Sequence, residues 1–343
     1  MVKSRITGAT IPYQLRPHKA IERNLFITIL RKLDRCSLIN INEYRYVGFG
    51  AAFLEDFKAL HSEFGISSMD CIEYDFFAYT RQDFNNPYNF INLYNISSTK
   101  YITGNEFKND KSQIIWLDYA SPKEFRQQLL DIELLCEKVF ELDILKFTFN
   151  SHITSFCHSI NIPGKFPNLG KVLEFLKDDV TYNLYLPDNI EVKDLMNNFS
   201  GVIRAMAVRA INRGLSKNNK NLEFHHLAAF SYADGQVMTT VTGIITQNNQ
   251  FDIIEIESGL AQWEFYVKES ADTEFITSNE ISVPAMTVSE RITIDKQIKS
   301  LDPITLANSL NFLYGSDNDE HQELINGYQK YYKYLPYYSK VIY

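Results

Sequence analysis

Tyr46-Val47-Gly48-Phe49-Gly50-Ala51-Ala52-Phe53-Leu54-Glu55-Asp56-Phe57 is the stretch on which the fold turns. The apolar run Tyr44 to Val47 reads as a short strand, Gly48-Phe49-Gly50 as a tight turn, and Ala51 to Phe64 as a helix that Gly65 closes in a C-cap role. Outward from it the same alternation repeats. On the N-terminal side, Pro17 suits a first helical turn, and apolar residues at helical spacing predict a helix to about Arg35. On the C-terminal side, Ser68 to Tyr74 is a strand ending in Glu73 and Asp75, with a helix after it through about Asp83. Tyr88 to Tyr94, Ile114 to Leu117 and Ile144 to Phe149 are further strands, and Pro122 opens a helix to about Phe140. Strands alternating with helices imply right-handed crossovers and a mainly parallel sheet.

The second half changes character. Ile160 to Gly170 carries Pro163, Gly164, Pro167 and Gly170 and reads as a loop, followed by helices at Lys171 to Lys177 and Val192 to Gly214. Leu222 to Tyr232 and Val237 to Thr246 flank Ala233-Asp234-Gly235-Gln236, whose Asp-Gly is a hairpin signal. Five parallel strands and an antiparallel hairpin make a doubly wound, Rossmann-like α/β sheet of seven strands, complete within residues 1–250. Residues 251–343 are then an extension packed on the same domain, with helices at Pro303 to Leu313 and Gln322 to Tyr334 and a tyrosine-rich tail. Internal repeats are absent.

In such a sheet the first strand-to-helix turn brings backbone amides to a ligand, and a side chain in place of Gly48 or Gly50 would hinder that approach. An acidic residue at the end of the next strand, here Glu73 with Tyr74 beside it, can accept hydrogen bonds from both hydroxyls of an adenosine ribose. A dinucleotide needs a third small residue where Phe53 stands, so NAD fits poorly. S-adenosylmethionine has no phosphate and tolerates Phe49 and the bulkier residues after Gly50. The plain alternative is that these glycines serve a tight turn and nothing else.

With these residues in view, the chain resembles class I S-adenosylmethionine-dependent methyltransferases, and more narrowly a bacterial family of candidate O-methyltransferases. The likeness runs over most of the chain in Arg16-Pro17-His18-Lys19, Tyr46 to Gly50, Phe53 to Phe57, Ile72-Glu73, Arg81 with Phe84-Asn85-Asn86-Pro87, Trp116-Leu117-Asp118-Tyr119, Thr148-Phe149-Asn150, Tyr232 to Gly235 with Met238, and Val283-Pro284 with Thr287 and Glu290. It implies S-adenosylmethionine as cofactor, held by Gly48, Phe49, Gly50, Glu73 and Tyr74. The chain departs from the family pattern at one point. Methyltransferases carry an acidic residue two positions before the first glycine, and Tyr46 occupies that place; Asp56 and Asp118 are the candidates to replace it.

Methylating an oxygen requires that its proton be removed. Asp118 at the end of the fourth strand, His152 after the fifth, and His18 at the start of the first helix are the candidate groups, each with a structural alternative. The Asp/Asn-Pro-Pro-aromatic turn of amino-methylating nucleic-acid enzymes is missing, and Asn86-Pro87-Tyr88 precedes the wrong strand. No histidines or cysteines have the spacing of a metal site, His225-His226 pointing to opposite faces of a strand.

Composition narrows the partners. The 343 residues include 24 Phe and 21 Tyr, enough apolar surface for a large core, which excludes wholesale disorder. Against 34 basic side chains stand 42 acidic ones, a formal charge of −8, so the overall field disfavours phosphate backbones. A nucleic-acid methyltransferase would have to rely on the basic run Arg204, Arg209, Arg213, Lys217 and Lys220 or on the tail, where Tyr331, Tyr332, Tyr334, Tyr337 and Tyr338 alternate with Lys330, Lys333 and Lys340. Docking of those rings on the chain itself or on a protein partner is the favoured alternative. Cys36, Cys71, Cys136 and Cys157 form no CxxC pair and read as reduced core thiols. With neither a signal core in Met1 to Thr10 nor an apolar run of about 18 residues, the expectation is a cytoplasmic protein with no membrane span. A catalytically inactive methyltransferase fold that senses cofactor or binds protein stays open beside the enzyme.

Overall fold

The computed structural model describes residues 16–104, 106–108, 110–162, 164, 167–247, 249–267 and 278–336. Nine strands form one sheet: β1 Arg45–Gly48, β2 Ser68–Ile72, β3 Ile91–Tyr94, β4 Gln113–Asp118, β5 Ile144–Asn150, β6 Leu222–Ala228, β7 Phe230–Ala233, β8 Val237–Gln247 and β9 Asn279–Ile281. Their order is β3-β2-β1-β4-β5-β8-β7-β9, with β6 also on β8. The first five run parallel, and β8 enters antiparallel between β5 and the β6/β7 edge. This is the Rossmann-like arrangement with its reversed hairpin.

The count of nine corrects the expected seven, for two physical reasons. The single strand expected at Leu222 to Tyr232 is broken by a register shift between His226 and Ala228. Beyond the break, the Phe230 N–H turns to the Thr240 hydroxyl (3.1 Å). The second reason lies in the extension, which contributes β9 as a parallel edge strand on β7.

The helices are α1 Pro17–Leu33, α2 Glu55–Phe64, α3 Phe76–Asn85, α4 Ser98–Thr103, α5 Phe125–Cys136, α6 Ile153–Ser159, α7 Leu169–Asp178, α8 Val180–Tyr185, α9 Val192–Lys217, α10 Gln250–Ser258, α11 Val288–Asp295, α12 Pro303–Asn308 and α13 Asn318–Tyr331. Alternating residues of each central strand feed opposite layers, as the pleat requires. Val47, Ile115, Leu117, Phe147 and Phe149 pack with α5, α8 and α9, whereas Tyr46, Ile114, Trp116 and Ile144 pack with α1 and α2. A smaller cluster of Ile294, Ile298, Leu306, Ile325 and Tyr328 holds α11 to α13 together. The helix expected from Ala51 begins only at Glu55. Ala51 (φ 43°) and Leu54 (φ 51°) sit in the left-handed region, so the turn after β1 is longer and more strained than its glycines alone suggest.

The extension is anchored by its tyrosines. Tyr331 is buried, stacks on Phe265 with centroids 5.3 Å apart, and donates its hydroxyl to the Glu280 carbonyl (2.8 Å). Tyr334 stands edge-on to the same ring, and Tyr328 donates to Asp295 (2.6 Å). Tyr337, Tyr338 and Lys340 lie outside the described residues. No described helix is long and apolar enough to cross a membrane, and the four cysteines are buried and unpaired.

Candidate active site

All the loops that matter converge on the carboxyl ends of β1, β2, β4 and β5, the edge where open parallel sheets bind ligands. At the end of β1, a Cβ on Gly48 would lie 2.6 Å from the Tyr46 hydroxyl and 3.1 Å from the Trp116 carbonyl oxygen. One on Gly50 would collide with Leu54 and stand 2.8 Å from the Cys71 sulfur. The packing of the turn itself therefore demands both glycines. Phe49 packs edge-on to Tyr119, and the Arg81 guanidinium lies over Phe53 at 5.8 Å, so the bulky residue that disfavours a dinucleotide is accommodated at the surface of α3.

Glu73 follows β2 directly. One of its carboxylate oxygens accepts from the Asp75 N–H (2.9 Å), and no described cation pairs with it. Burial pushes its pKa up, with the Asp75 N–H working the other way. Asp75 in turn caps α3 by accepting from the Ala78 N–H (2.8 Å), while Tyr74 is exposed.

Asp118 ends β4. Burial works to raise its carboxyl, but Lys19, followed by Arg16 and Lys146, outweighs that and holds it below the usual carboxylate range. Its ion-pair partner is Lys19, from the first turn of α1. Asp56, the other candidate to replace the missing acid at Tyr46, is buried in an ion pair with Arg23.

The two histidines are structural in their contacts. The Val283 N–H donates to Nε2 of His18 (3.1 Å), leaving Nδ1 to donate to Asp234 (2.8 Å). Asp234 also accepts from the backbone N–H groups of His18 and Lys19, so the hairpin carboxylate caps α1 across the fold. His152 caps α6 through Nδ1, which lies 3.4 Å from the Ser155 N–H and 3.0 Å from the Ser155 hydroxyl, whose own proton goes to Gln236 (2.6 Å). Both histidines named as candidate bases thus have intramolecular partners.

Sequence reasoning missed the charged face of α1. Lys19, Glu22 and Arg23 are buried and meet Asp118, Lys146 and Asp56. Lys146 is wholly buried, donates to Glu22 at 2.5 Å, and lies 3.8 Å from the Trp116 ring centroid and 4.3 Å from that of Phe26. The signal was present as a lone lysine inside Ile144-Leu145-Lys146-Phe147 and as charges three and four apart along a helix otherwise apolar.

The basic run is engaged by intramolecular partners. Arg204 is buried and donates to Ser231 (3.1 Å) and Thr239 (2.6 Å), Arg209 pairs with Asp188 (2.8 Å), and Arg213 and Lys217 pair with Glu133. Lys220 donates to the Val139 carbonyl (3.1 Å). The open depression bounded by Asn212, Ser216, Asn221 and His225 lies where β6 begins, at the opposite edge of the sheet from these loops.

Among solved structures, the N-methyltransferase NodS from Bradyrhizobium japonicum is 8% identical, covering 66% of this chain and 96% of its own, with a TM-score of 0.35. The fibrillarin pre-rRNA processing protein of Methanococcus jannaschii is 11% identical over 62% of this chain and 71% of its own, with a TM-score of 0.33. No curated protein matches the sequence. A family model described as "Putative O-methyltransferase" matches residues 11–343. It spans the glycine turn, Glu73, Asp118 and the extension alike, and the chain belongs to that family.

Proposed function

We propose that the protein transfers a methyl group from S-adenosylmethionine to an oxygen of an acceptor bound over the carboxyl edge of β4 and β5. The observation that carries this reading is Glu73. A partly buried carboxylate with no cation on it among the described residues, one strand over from a glycine turn, fits a ribose diol, which offers two hydroxyl donors and no charge. The side chains present suit the cofactor otherwise: Gly48 to Gly50 keep the turn close to the sheet, and Asp118 and Lys19 supply one charge of each sign beside it. When bound, S-adenosylmethionine supplies a methyl group on a sulfonium that leaves as a neutral thioether.

The chain's own residues then have limited work. His152, held through Nδ1 by the Ser155 hydroxyl, leaves Nε2 to receive the proton of the acceptor oxygen. Asp118, kept ionised by Lys19, is a fixed negative charge beside the cofactor at the end of β4. Calorimetry with S-adenosylmethionine and S-adenosylhomocysteine tests the reading. Wild type is expected to bind both, and Glu73→Ala to weaken each about tenfold or more, as the loss of hydrogen bonds to a charged group implies. Unchanged affinity in a folded variant would remove Glu73 from the site.

A second reading is favoured by one observation, that none of the three candidate bases is free of an intramolecular partner. The chain would then bind cofactor and a partner protein without turnover. Labelled methyl groups appearing in any component of a cell extract would reject it.

A further inference from the structure

Three of the ion pairs of α1, those of Lys19, Glu22 and Arg23, face the sheet, and their carboxylates differ in access. Glu22 and Lys146 have side chains 1% and 0% exposed, and Arg23 and Asp56 10% and 5%. Lys19 is 6% exposed and Asp118 15%, and Asp118 stands at the carboxyl end of β4 beside the strand that ends in Gly48. We propose that the Lys19–Asp118 pair is the receptor for the amino-acid end of S-adenosylmethionine, Asp118 taking the α-ammonium and Lys19 the α-carboxylate. The inference rests on the cofactor reading above and gives it a residue, Lys19, and an order of events.

The amino-acid end is a zwitterion, and taking it out of water requires one partner of each sign. The acid that other methyltransferases place before the first glycine is missing. Tyr46 fills that position, with its hydroxyl directly under Gly48. Asp56 and Glu22 are committed to Arg23 and Lys146 in sealed pairs. Asp118 is the most exposed of the three carboxylates, and its pair with Lys19 already mimics the ligand, an ammonium against a carboxylate. Opening it to the zwitterion exchanges each charge's partner and leaves no charge alone.

Lys19 is built for that exchange. Its backbone N–H is fixed by Asp234 (2.9 Å), as is that of His18, so the start of α1 need not move. Its four-carbon stem lets the ammonium swing while the helix stays docked. The pair thus closes the site without cofactor and becomes part of it with cofactor.

The test is calorimetry on the full chain with two probes, S-adenosylhomocysteine and methylthioadenosine, which keeps the adenosine and thioether but has no amino acid. Lys19→Met leaves Asp118 unpaired at a cost in stability, so Lys19→Met/Asp118→Asn, which removes both charges together, is measured beside it. Either variant is expected to lose about tenfold to a hundredfold in affinity for S-adenosylhomocysteine while holding methylthioadenosine within about twofold. Equal loss for both probes, or no loss for either, would make the pair a purely structural tie and overturn the inference. If wild type binds neither probe, the cofactor reading fails first and takes the inference with it.

Discussion

Replacing Lys146 by methionine removes the cation from the most deeply buried ion pair among the described residues and leaves the Glu22 carboxylate behind, 1% exposed, with Oε2 already unpartnered. The structure sets the size of the effect. Lys146 contributes a 2.5 Å bond to Glu22 and two ring contacts, on Trp116 and Phe26. Burial alone pushes its pKa down, opposed by Glu22 and, further off, by Asp56 and Asp118. Breaking one side of such a pair costs about 3 to 5 kcal/mol, out of a total stability of about 5 to 15 kcal/mol for a protein of ordinary stability. Removing both charges is different: Glu22→Leu/Lys146→Met leaves an apolar contact against Trp116 and is expected within about 1 kcal/mol of wild type or above it. Urea unfolding followed by tryptophan fluorescence reads this directly, because Trp116 lies under the lysine and Trp263 is the other tryptophan of the chain. A single variant that costs less than about 1 kcal/mol, or a double variant as unstable as the single, would refute the sealed pair and with it the docking of α1 on β5.

Asp143, buried, accepts from the Gln113 and Phe140 N–H groups (2.8 and 2.9 Å), yet burial outweighs these bonds and pushes its carboxyl up to about 7. The folded chain therefore holds a proton that the unfolded chain releases near pH 4, so stability is full below that, falls as pH rises through about 7, and levels off above. Urea midpoints at pH 5.5 and 8 should show the drop, and Asp143→Asn should flatten it; an identical drop in the variant would assign it to another group. Tyr331→Ala, emptying a buried site between Phe265 and the Glu280 carbonyl, is expected to cost about 3 to 5 kcal/mol in a single unfolding transition. If residues 1–250 fold alone with unchanged cofactor affinity, the extension is instead a separate unit.

What was legible in the sequence followed from periodicity and punctuation. The five parallel strands, the Asp-Gly hairpin and the turn at Gly48 to Gly50 are local patterns, and each stands within a few residues of its expected place. The split of β6 from β7 was not legible, because it depends on Thr240 across the hairpin accepting a backbone N–H that a regular ladder would have used. Nor was β9, three residues long, which exists through pairing with β7 and the hydroxyl of Tyr331 fifty residues on.

The site divides the same way. Glu73 and Asp118 could be found because a strand end fixes their position without reference to anything distant. The contacts that decide what Asp118, His18 and Asp56 can do are separated by 99, 216 and 33 residues from their partners, and no spacing rule relates them. The hidden half is nonetheless constrained. A helix whose apolar face already fills one layer can bury charges only against opposite charges supplied by the sheet. Lys19, Glu22 and Arg23 on one face of α1 thus required a carboxylate, an ammonium and a carboxylate from elsewhere, and Lys146, alone in an apolar strand, was in that position for the middle one. Had the lone charge in the strand been read together with the charges on the helix, the docking of α1 could have been inferred before any fold was in hand. Asp118 would then have emerged as already paired rather than free, and that distinction separates a poised base from a receptor awaiting a zwitterion.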